Sequence, residues 1–477
     1  MSAEKTAASK PTVEYEGFAR FLYNLVSFMQ GYDQQILSMC MRAFEATLGF
    51  SQSQLSTMAT VSKMSRLGCC LIWGILADTS QPHHLLAAGL LVLGMASILV
   101  SLVSHYKAIL LLRFLHGFGF ASIYPVHQKI VATMKNSGNS SLIFGILQGL
   151  SSLGRVFCAM VTTLVAQKVL LGYIGWRTSY VVLGYVWILM AIAILFGMQG
   201  RPNKDADGGS SSTSSTISPT PPSDSPKSPT SSSELIARVF SEVLTKPTPL
   251  ILIVTVFISE SLMCAFSYMS IYLQYTGVSK VMSGFAVSVT LIGAAVGAGC
   301  GGLVVKTIGE SYEDYGILSC GTVVMVVRYV ACLLFFLGPK PNGRLLWYHY
   351  AELVALGTTL LTIGAVDRTL VKNSIEPDLQ ATASATIRTI AGIGSSVILY
   401  QVSAYLSEKV FGYVPSKASF ETMDAVIKET NANALRKSMM YIIATGATIN
   451  LVCYAALFFT YPSEKVKPKE AENKQAT

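Results

Sequence analysis

The chain has 477 residues, 51% of them hydrophobic and only 13% charged, with a formal net charge of +9. Soluble domains carry about 25% charged residues, so this composition excludes a soluble globular protein; apolar runs of full helical length exclude an outer-membrane barrel, whose strands are about 10 residues of alternating polarity. In a membrane chain the basic excess belongs to loops and tails on the cytoplasmic side, so no nucleic-acid partner is expected.

Residues 1–16 are polar and lack an apolar h-region, so they read as a cytoplasmic tail without a cleavable leader. A first apolar block, 17–200, divides into six stretches long enough to cross a bilayer by the roughly 20-residue criterion. Helix 1 is predicted over 17–41, helix 2 over 55–76, helix 3 over 84–103, helix 4 over 106–132, helix 5 over 142–170 and helix 6 over 176–198. Residues 201–247 form a linker. Its first part, 201–233, is dominated by Ser, Thr, Pro, Asp and Gly and cannot bury an apolar face, so it is expected to be disordered. Three Ser-Pro pairs there, at Ser218, Ser225 and Ser228, are of a type that accepts phosphate, on a segment that reads as a passive tether. Residues 234–246 gather Leu235, Val239, Phe240 and Val243 on one side, as a short interfacial helix does.

The second apolar block, 248–461, repeats the pattern, with helix 7 over 249–275, helix 8 over 281–305, helix 9 over 315–337, helix 10 over 345–371, helix 11 over 382–406 and helix 12 over 437–461. A polar tail, 462–477, closes the chain. This is an all-α polytopic membrane protein of twelve transmembrane helices in two six-helix bundles joined by a disordered loop, the outline of a transporter. An even number of spans puts both termini on one side. Lys5, Lys10 and Arg20, the basic linker residues and the tail lysines make that side cytoplasmic, although Lys409, Lys417, Lys428, Arg436 and Lys437 lie opposite. The sequon at Asn139 then falls in a cytoplasmic loop. The nine cysteines show no metal or redox spacing and read as packing residues, and no cofactor is implied.

Gly145, Gly149 and Gly154 in helix 5, Gly293, Gly297 and Gly301 in helix 8, and Gly392 and Gly394 in helix 11 allow close backbone approach. They serve either static packing or helices that slide between the halves.

A charge near the bilayer centre costs at least about 2.5–3.5 kcal/mol, so such residues are functional candidates. Asp33, past the middle of helix 1, stands first. Arg113 and His116 share one face of helix 4 with Phe120 and Tyr124 by helical spacing. A facing Asp33–Arg113 pair would neutralise both charges, and protonating Asp33 would free Arg113 for an anionic group, a proton-driven switch; the alternative is a fixed structural pair. His116 is a second candidate for titration, or a satisfied hydrogen-bonding residue. Arg66 and Arg155 lack a local acid. They would hold a substrate phosphate or carboxylate, or pair with Glu260 or Glu352 across a cavity. Tyr268 suits a mixed apolar and polar cavity wall.

Gly74 and Asp78 after helix 2 resemble the G-x-x-x-D opening of the major facilitator loop motif, without its basic half; Gly175-Trp176-Arg177 also fits that superfamily. Within it, three stretches resemble the Spinster-like transporters. These are Gly31-Tyr32-Asp33-Gln34, with Gln34 where the family has Arg; Arg113 to Ser122, with Phe120 at the family's acidic position; and Ile363 to Asp367 followed by Glu376-Pro377. The resemblance implies a major facilitator fold, a proton-responsive cluster at Asp33 and Arg113, and an amphipathic anionic lipid such as a lysophospholipid as substrate.

The expected function is secondary active transport by alternating access, proton-coupled, of an amphipathic or anionic organic solute, with the protein acting as a monomer among membrane lipids. Alternatives are a transporter or exchanger of hydrophilic organic anions such as sugar phosphates, and a receptor that keeps the fold without transport. No Walker, H-E-x-x-H or G-x-S-x-G motif occurs, so neither an ATP-driven pump nor an enzyme is expected.

Overall fold

The computed structural model describes residues 13–79, 81–126, 140–170, 172–197, 232–312, 315–375, 380–418, 420 and 422–464. Of the expected disordered run, 201–231 lie outside these residues, and Ser232 and Ser233 are helical; Asn139 and the tail residues 1–12 and 465–477 also lie outside, while 13–16 and 462–464, expected in the tails, are helical.

The first half consists of α1 (Val13–Leu48), α2 in two segments (Gln52–Gly68 and Cys70–Thr79), α3 (Pro82–Leu102), α4 (Tyr106–Phe120), α5 (Ser140–Val165) and α6 (Gly175–Gly197). A small antiparallel hairpin, β1 (Val169–Leu170) and β2 (Tyr173–Ile174), joins α5 to α6. A short amphipathic helix, Ser232–Thr245, precedes the second half, close to the interfacial helix expected there. The second half consists of α7 in three segments (Pro247–Ser259, Ser261–Phe266 and Met269–Tyr275), α8 (Lys280–Ser311), α9 (Gly316–Leu337), α10 (Trp347–Ser374), α11 (Gln380–Tyr405, closing in a π turn at Leu406–Val410) and α12 (Ala425–Glu464). Twelve rods put both chain ends on one face, the terminal face. Loops after odd-numbered rods lie on the other, the distal face.

Local chemistry sets several starts. Ser51 Oγ accepts the Gln54 amide at 3.2 Å while the Gln54 side chain accepts the Ser51 amide at 3.0 Å, a reciprocal cap that opens α2. Ser279 caps α8 by accepting the Met282 amide at 3.3 Å. Pro82 and Pro247 occupy first-turn positions, where a missing N–H costs nothing.

Among the described residues nine helices are long and apolar enough to cross a membrane. The rods that fall short are informative. α1 and α2 carry the dense polar positions Tyr32 to Gln35, Arg42, Glu45, Lys63 and Arg66. Side chains that cannot face lipid must face protein or water.

Within the first half α1 packs along α5 and α3 along α6; in the second, α8 packs along α10 and α9 along both α10 and α12. The halves meet where α5 lies on α8 and α2 on α11. The glycine stripe of α8 resolves one alternative. A methyl on Gly293 would sit 2.7 Å from the Val354 carbonyl oxygen, and one on Gly301 would sit 2.7 Å from a Thr362 methyl. The stripe therefore admits α10 of its own half and is packing, not a sliding seam. Gly392 on α11, by contrast, meets Leu67 of α2 across the halves.

Three expectations are corrected. Helix 1, predicted to stop at 41, continues to Leu48, and helix 12, predicted to begin at 437, begins at Ala425. Hydropathy marks where hydrocarbon ends, whereas backbone hydrogen bonding carries the helix further. Helix 7, predicted as one rod, is interrupted at Glu260 and again at Ser267 and Tyr268, where the Tyr268 amide bonds the Ala265 carbonyl at 3.0 Å instead of continuing the α pattern.

Candidate functional site

The centre of the first half is Asp33, only 1% exposed. Its Oδ2 accepts the indole N–H of Trp187 on α6 at 2.9 Å and lies 3.1 Å from Nε2 of His116 on α4. Oδ1 has no partner among the described residues, nor has Nδ1 of His116. With Asp33 ionised, the Trp187 indole N–H and the His116 Nε2–H both donate to Oδ2.

The expected Asp33–Arg113 ion pair does not form. Arg113 is fully buried, its guanidinium lies over the Tyr180 ring at 5.6 Å, and none of its nitrogens has a hydrogen-bond partner among the described residues. One helical turn separates Arg113 from His116, and it is the imidazole that reaches the carboxylate. Phe120 is buried beside them under the Arg66 guanidinium, 4.5 Å from ring centre, whereas Tyr124, expected on the same face, is 54% exposed. Trp187 was not anticipated; nothing in the spacing of a single sequence singles out one apolar-looking residue on α6.

The other predicted residues separate into two groups. Lys63 on α2 pairs with Glu260 at the first break of α7, Nζ to Oε2 2.8 Å, and so links the halves. Arg155 on α5 donates to the Gln34 side chain of α1. Arg66 lies within electrostatic reach of Asp33, Arg113, Arg155 and Tyr400, and Glu260 within reach of Arg155 and Arg388 as well as Lys63. These residues surround one space between the halves. Glu352, on the distal part of α10, takes no part; it lies within electrostatic reach of His349. Tyr268 does not line an open wall. It is 2% exposed, and its hydroxyl bonds Ser56 of α2 across the halves. Gly74 lies in the second segment of α2 with room around it, and the side chain of Asp78 lies outside the described residues. Distal to Glu260, a water-sized pocket between the halves is lined by the polar Gln35, Ser38, Ser267 and Thr290 and by apolar side chains such as Phe266 and Leu291.

The distal face is closed. Glu45 on α1 forms an ion pair with Arg42 at 3.0 Å and accepts from Tyr413 at 2.7 Å, Tyr275 at 3.1 Å and the Ser416 amide at 3.2 Å. Arg42 donates to the Ser416 and Ala418 carbonyls at 2.9 and 2.7 Å and lies over the Phe420 ring at 4.4 Å. Burial and the adjacent Glu45 carboxylate hold the Tyr413 phenol well above its ordinary range, so it stays a donor. Ser53 at the start of α2 adds two bonds to Glu408 of the π turn, through its amide at 3.0 Å and its hydroxyl at 2.5 Å. Further along the α2–α11 contact, Gln401 donates to Thr57 at 3.2 Å and Thr60 to the Ser396 carbonyl at 2.9 Å. With that side closed, the exposure of the Lys63 and Glu260 side chains, 26% and 40%, belongs to the side of the terminal face. The signal for this latch was present in the sequence as Arg42 and Glu45, three apart just beyond the predicted end of helix 1.

Comparison with known proteins fits this arrangement. The Major Facilitator Superfamily model matches residues 23–399. The chain belongs to the Major Facilitator Superfamily. It is an integral multi-pass membrane transporter, not an enzyme. Its fold resembles that of a bacterial homologue of the human lysosomal transporter Spinster in an inward-facing, unoccupied conformation, with a TM-score of 0.77 at 16% identity over 97% of this chain and 100% of that one. A probable 4-methylmuconolactone transporter of Cupriavidus pinatubonensis is 23% identical over 171 residues, 35% of this chain and 38% of the relative. The probable sulfoacetate transporter SauU of Cupriavidus necator is 22% identical over 180 residues, 38% of this chain and 41% of the relative. The chain thus matches about two-fifths of the length of these curated relatives.

Proposed function

We propose that this major facilitator transporter moves an amphipathic or anionic organic solute by alternating access, driven by protons exchanged at Asp33 and His116, with both termini cytoplasmic. The observation that carries the reading is a charge imbalance. Lys63, Arg66, Arg113 and Arg155 stand around the mid-span region, against the carboxylates of Asp33 and Glu260. Cations held out of bulk water without matching acids favour an anionic guest, which supplies the missing acceptors through charge-assisted hydrogen bonds. Protonating Asp33 removes one of the two carboxylates and deepens that preference, which ties solute affinity to proton occupancy.

A hydrocarbon portion on that solute rests on the Spinster-like resemblance, which implies the lysophospholipid class. A second reading, a small hydrophilic anion, is supported by the likeness to the probable sulfoacetate transporter. Uptake into proteoliposomes of a lysophospholipid, a sugar phosphate and sulfoacetate, each with and without an imposed pH gradient, separates these readings. The expected result is gradient-stimulated uptake of the lysophospholipid that Asp33→Asn abolishes. Equal rates with and without the gradient, with Asp33→Asn still active, remove the coupling. Uptake of the two hydrophilic anions alone selects the second reading.

A further inference from the structure

The pair Lys63–Glu260 differs from the other ion pair at the junction of the halves. Arg42 and Glu45 are 3% and 1% exposed and enclosed by partners, whereas Lys63 and Glu260 retain 26% and 40% exposure at mid-span. Glu260 also sits at an interruption of α7, between the segments ending at Ser259 and beginning at Ser261. Interrupted spans free backbone and side chains from helical register at the depth where transporters bind their cargo. One carboxylate there serves several cations, with Lys63 in contact and Arg388 and Arg155 within electrostatic reach. On its other side the Lys63 ammonium lies over the Tyr400 ring at 5.4 Å, an attraction that holds it in place when its acid partner leaves.

We propose that Glu260 is a built-in stand-in for the anionic group of the solute, and that solute binds by displacing it from Lys63. The incoming phosphate, sulfonate or carboxylate takes the Lys63 ammonium as its anchor, with Arg66 and Arg155 beside it. The Glu260 carboxylate turns to Arg388 and to water. Because the displaced contact joins α2 of one half to α7 of the other, occupation of the site cuts a bond between the halves on the same event. An empty carrier is thereby held together by its own carboxylate, and a loaded one is released to rock. This deepens the anionic-solute reading and rests on it.

Binding of lysophosphatidic acid and of glucose 6-phosphate to purified full-length protein, read by thermal shift, tests the proposal. Glu260→Gln removes the competitor and is expected to tighten the probe that wild type binds by about tenfold, the scale of one charge-assisted hydrogen bond. Lys63→Gln is expected to weaken it by about the same factor. The double exchange Lys63→Glu with Glu260→Lys rebuilds the inter-half ion pair with reversed polarity, so it serves as the control for folding. It is expected to melt within a few degrees of wild type; if position 63 is the anchor it binds as weakly as Lys63→Gln. Unchanged or weaker binding by Glu260→Gln overturns the proposal, as does wild-type affinity in the double exchange. Failure of wild type to bind either probe removes the anionic-solute reading itself, and the displacement model with it.

Discussion

Each half of the transporter buries an aspartate and an arginine, and treats the arginines in opposite ways, while each aspartate keeps one oxygen without a partner among the described residues. In the second half, Asp367 on α10 accepts the Tyr454 hydroxyl at 2.7 Å, and Arg328 on α9 donates to the Thr359 carbonyl at 2.7 Å, to the Thr359 hydroxyl at 3.3 Å and to the Ser259 carbonyl at 3.5 Å. That guanidinium binds the backbone of α10 to the broken end of α7. In the first half, Asp33 is held by His116 and Trp187 while Arg113 has no hydrogen-bond partner among the described residues. Arginine is a structural clamp on one side and uncommitted charge on the other. The comparison teaches that burial of a charge in a membrane span does not by itself mark function; what marks it is a buried group whose hydrogen-bonding capacity the fold leaves open.

The largest expected effect comes from exchanging the two arginines. Arg328→Met leaves the buried Thr359 and Ser259 carbonyls without their donor, and each such unsatisfied group costs about 1–3 kcal/mol. A melting temperature several degrees below wild type in nanodiscs is expected, with normal uptake per folded molecule. Arg113→Met is expected to melt at or above the wild-type temperature, since an isolated buried charge is removed, and to lose uptake by at least about a hundredfold. A stability loss in Arg113→Met as large as that in Arg328→Met would dissolve the contrast between the halves.

Much of this was legible in the sequence, and the parts that were not share a cause. The rods and the burial of polar groups at Asp33, Arg113 and His116 follow from hydropathy and from the cost of charge in lipid. Which of Arg113 and His116 touches Asp33 depends on side-chain reach across α1 and α4, and no periodicity encodes that. Trp187 counted only as an apolar residue of helix 6. Glu260 and Arg155 are open between several partners in the sequence; Lys63 meets Glu260 across the halves at the break in α7, and Gln34 meets Arg155 along the α1–α5 contact of one half. Glycine spacing announced close approach in α8 without saying which neighbour approached.

An intermediate effect is expected at the distal latch, which lies outside both clusters and holds the halves that carry them. Glu45→Gln replaces the carboxylate that Arg42, Tyr275, Tyr413 and the Ser416 amide share. The amide still fills the space, so folding survives while the closed distal state loses its charge-assisted bonds. Labelling of Ser38→Cys, in a background without other cysteines, by a membrane-impermeant maleimide from the distal side is expected to rise about tenfold, the consequence of a 1.4 kcal/mol shift between states. Unchanged labelling would show that the Ser53–Glu408 contacts close the distal face without Glu45.

The smallest expected effects come from the neutral donors to the two aspartates, and they sharpen the comparison most. Tyr454→Phe removes the hydroxyl bonded to Asp367, and Trp187→Phe removes the indole N–H bonded to Asp33; each deletion costs about 1–3 kcal/mol through the acceptor left behind. Both lower the melting temperature by a few degrees, so stability alone does not tell them apart. Their response to a pH gradient does. Tyr454→Phe is expected to keep the wild-type ratio of uptake with and without the gradient, because Asp367 belongs to a clamp. Trp187→Phe is expected to change that ratio severalfold, because Asp33 then keeps the hydrogen bond of His116 alone. The reverse outcome would move the proton site into the second half and make the cluster at Asp33 the clamp.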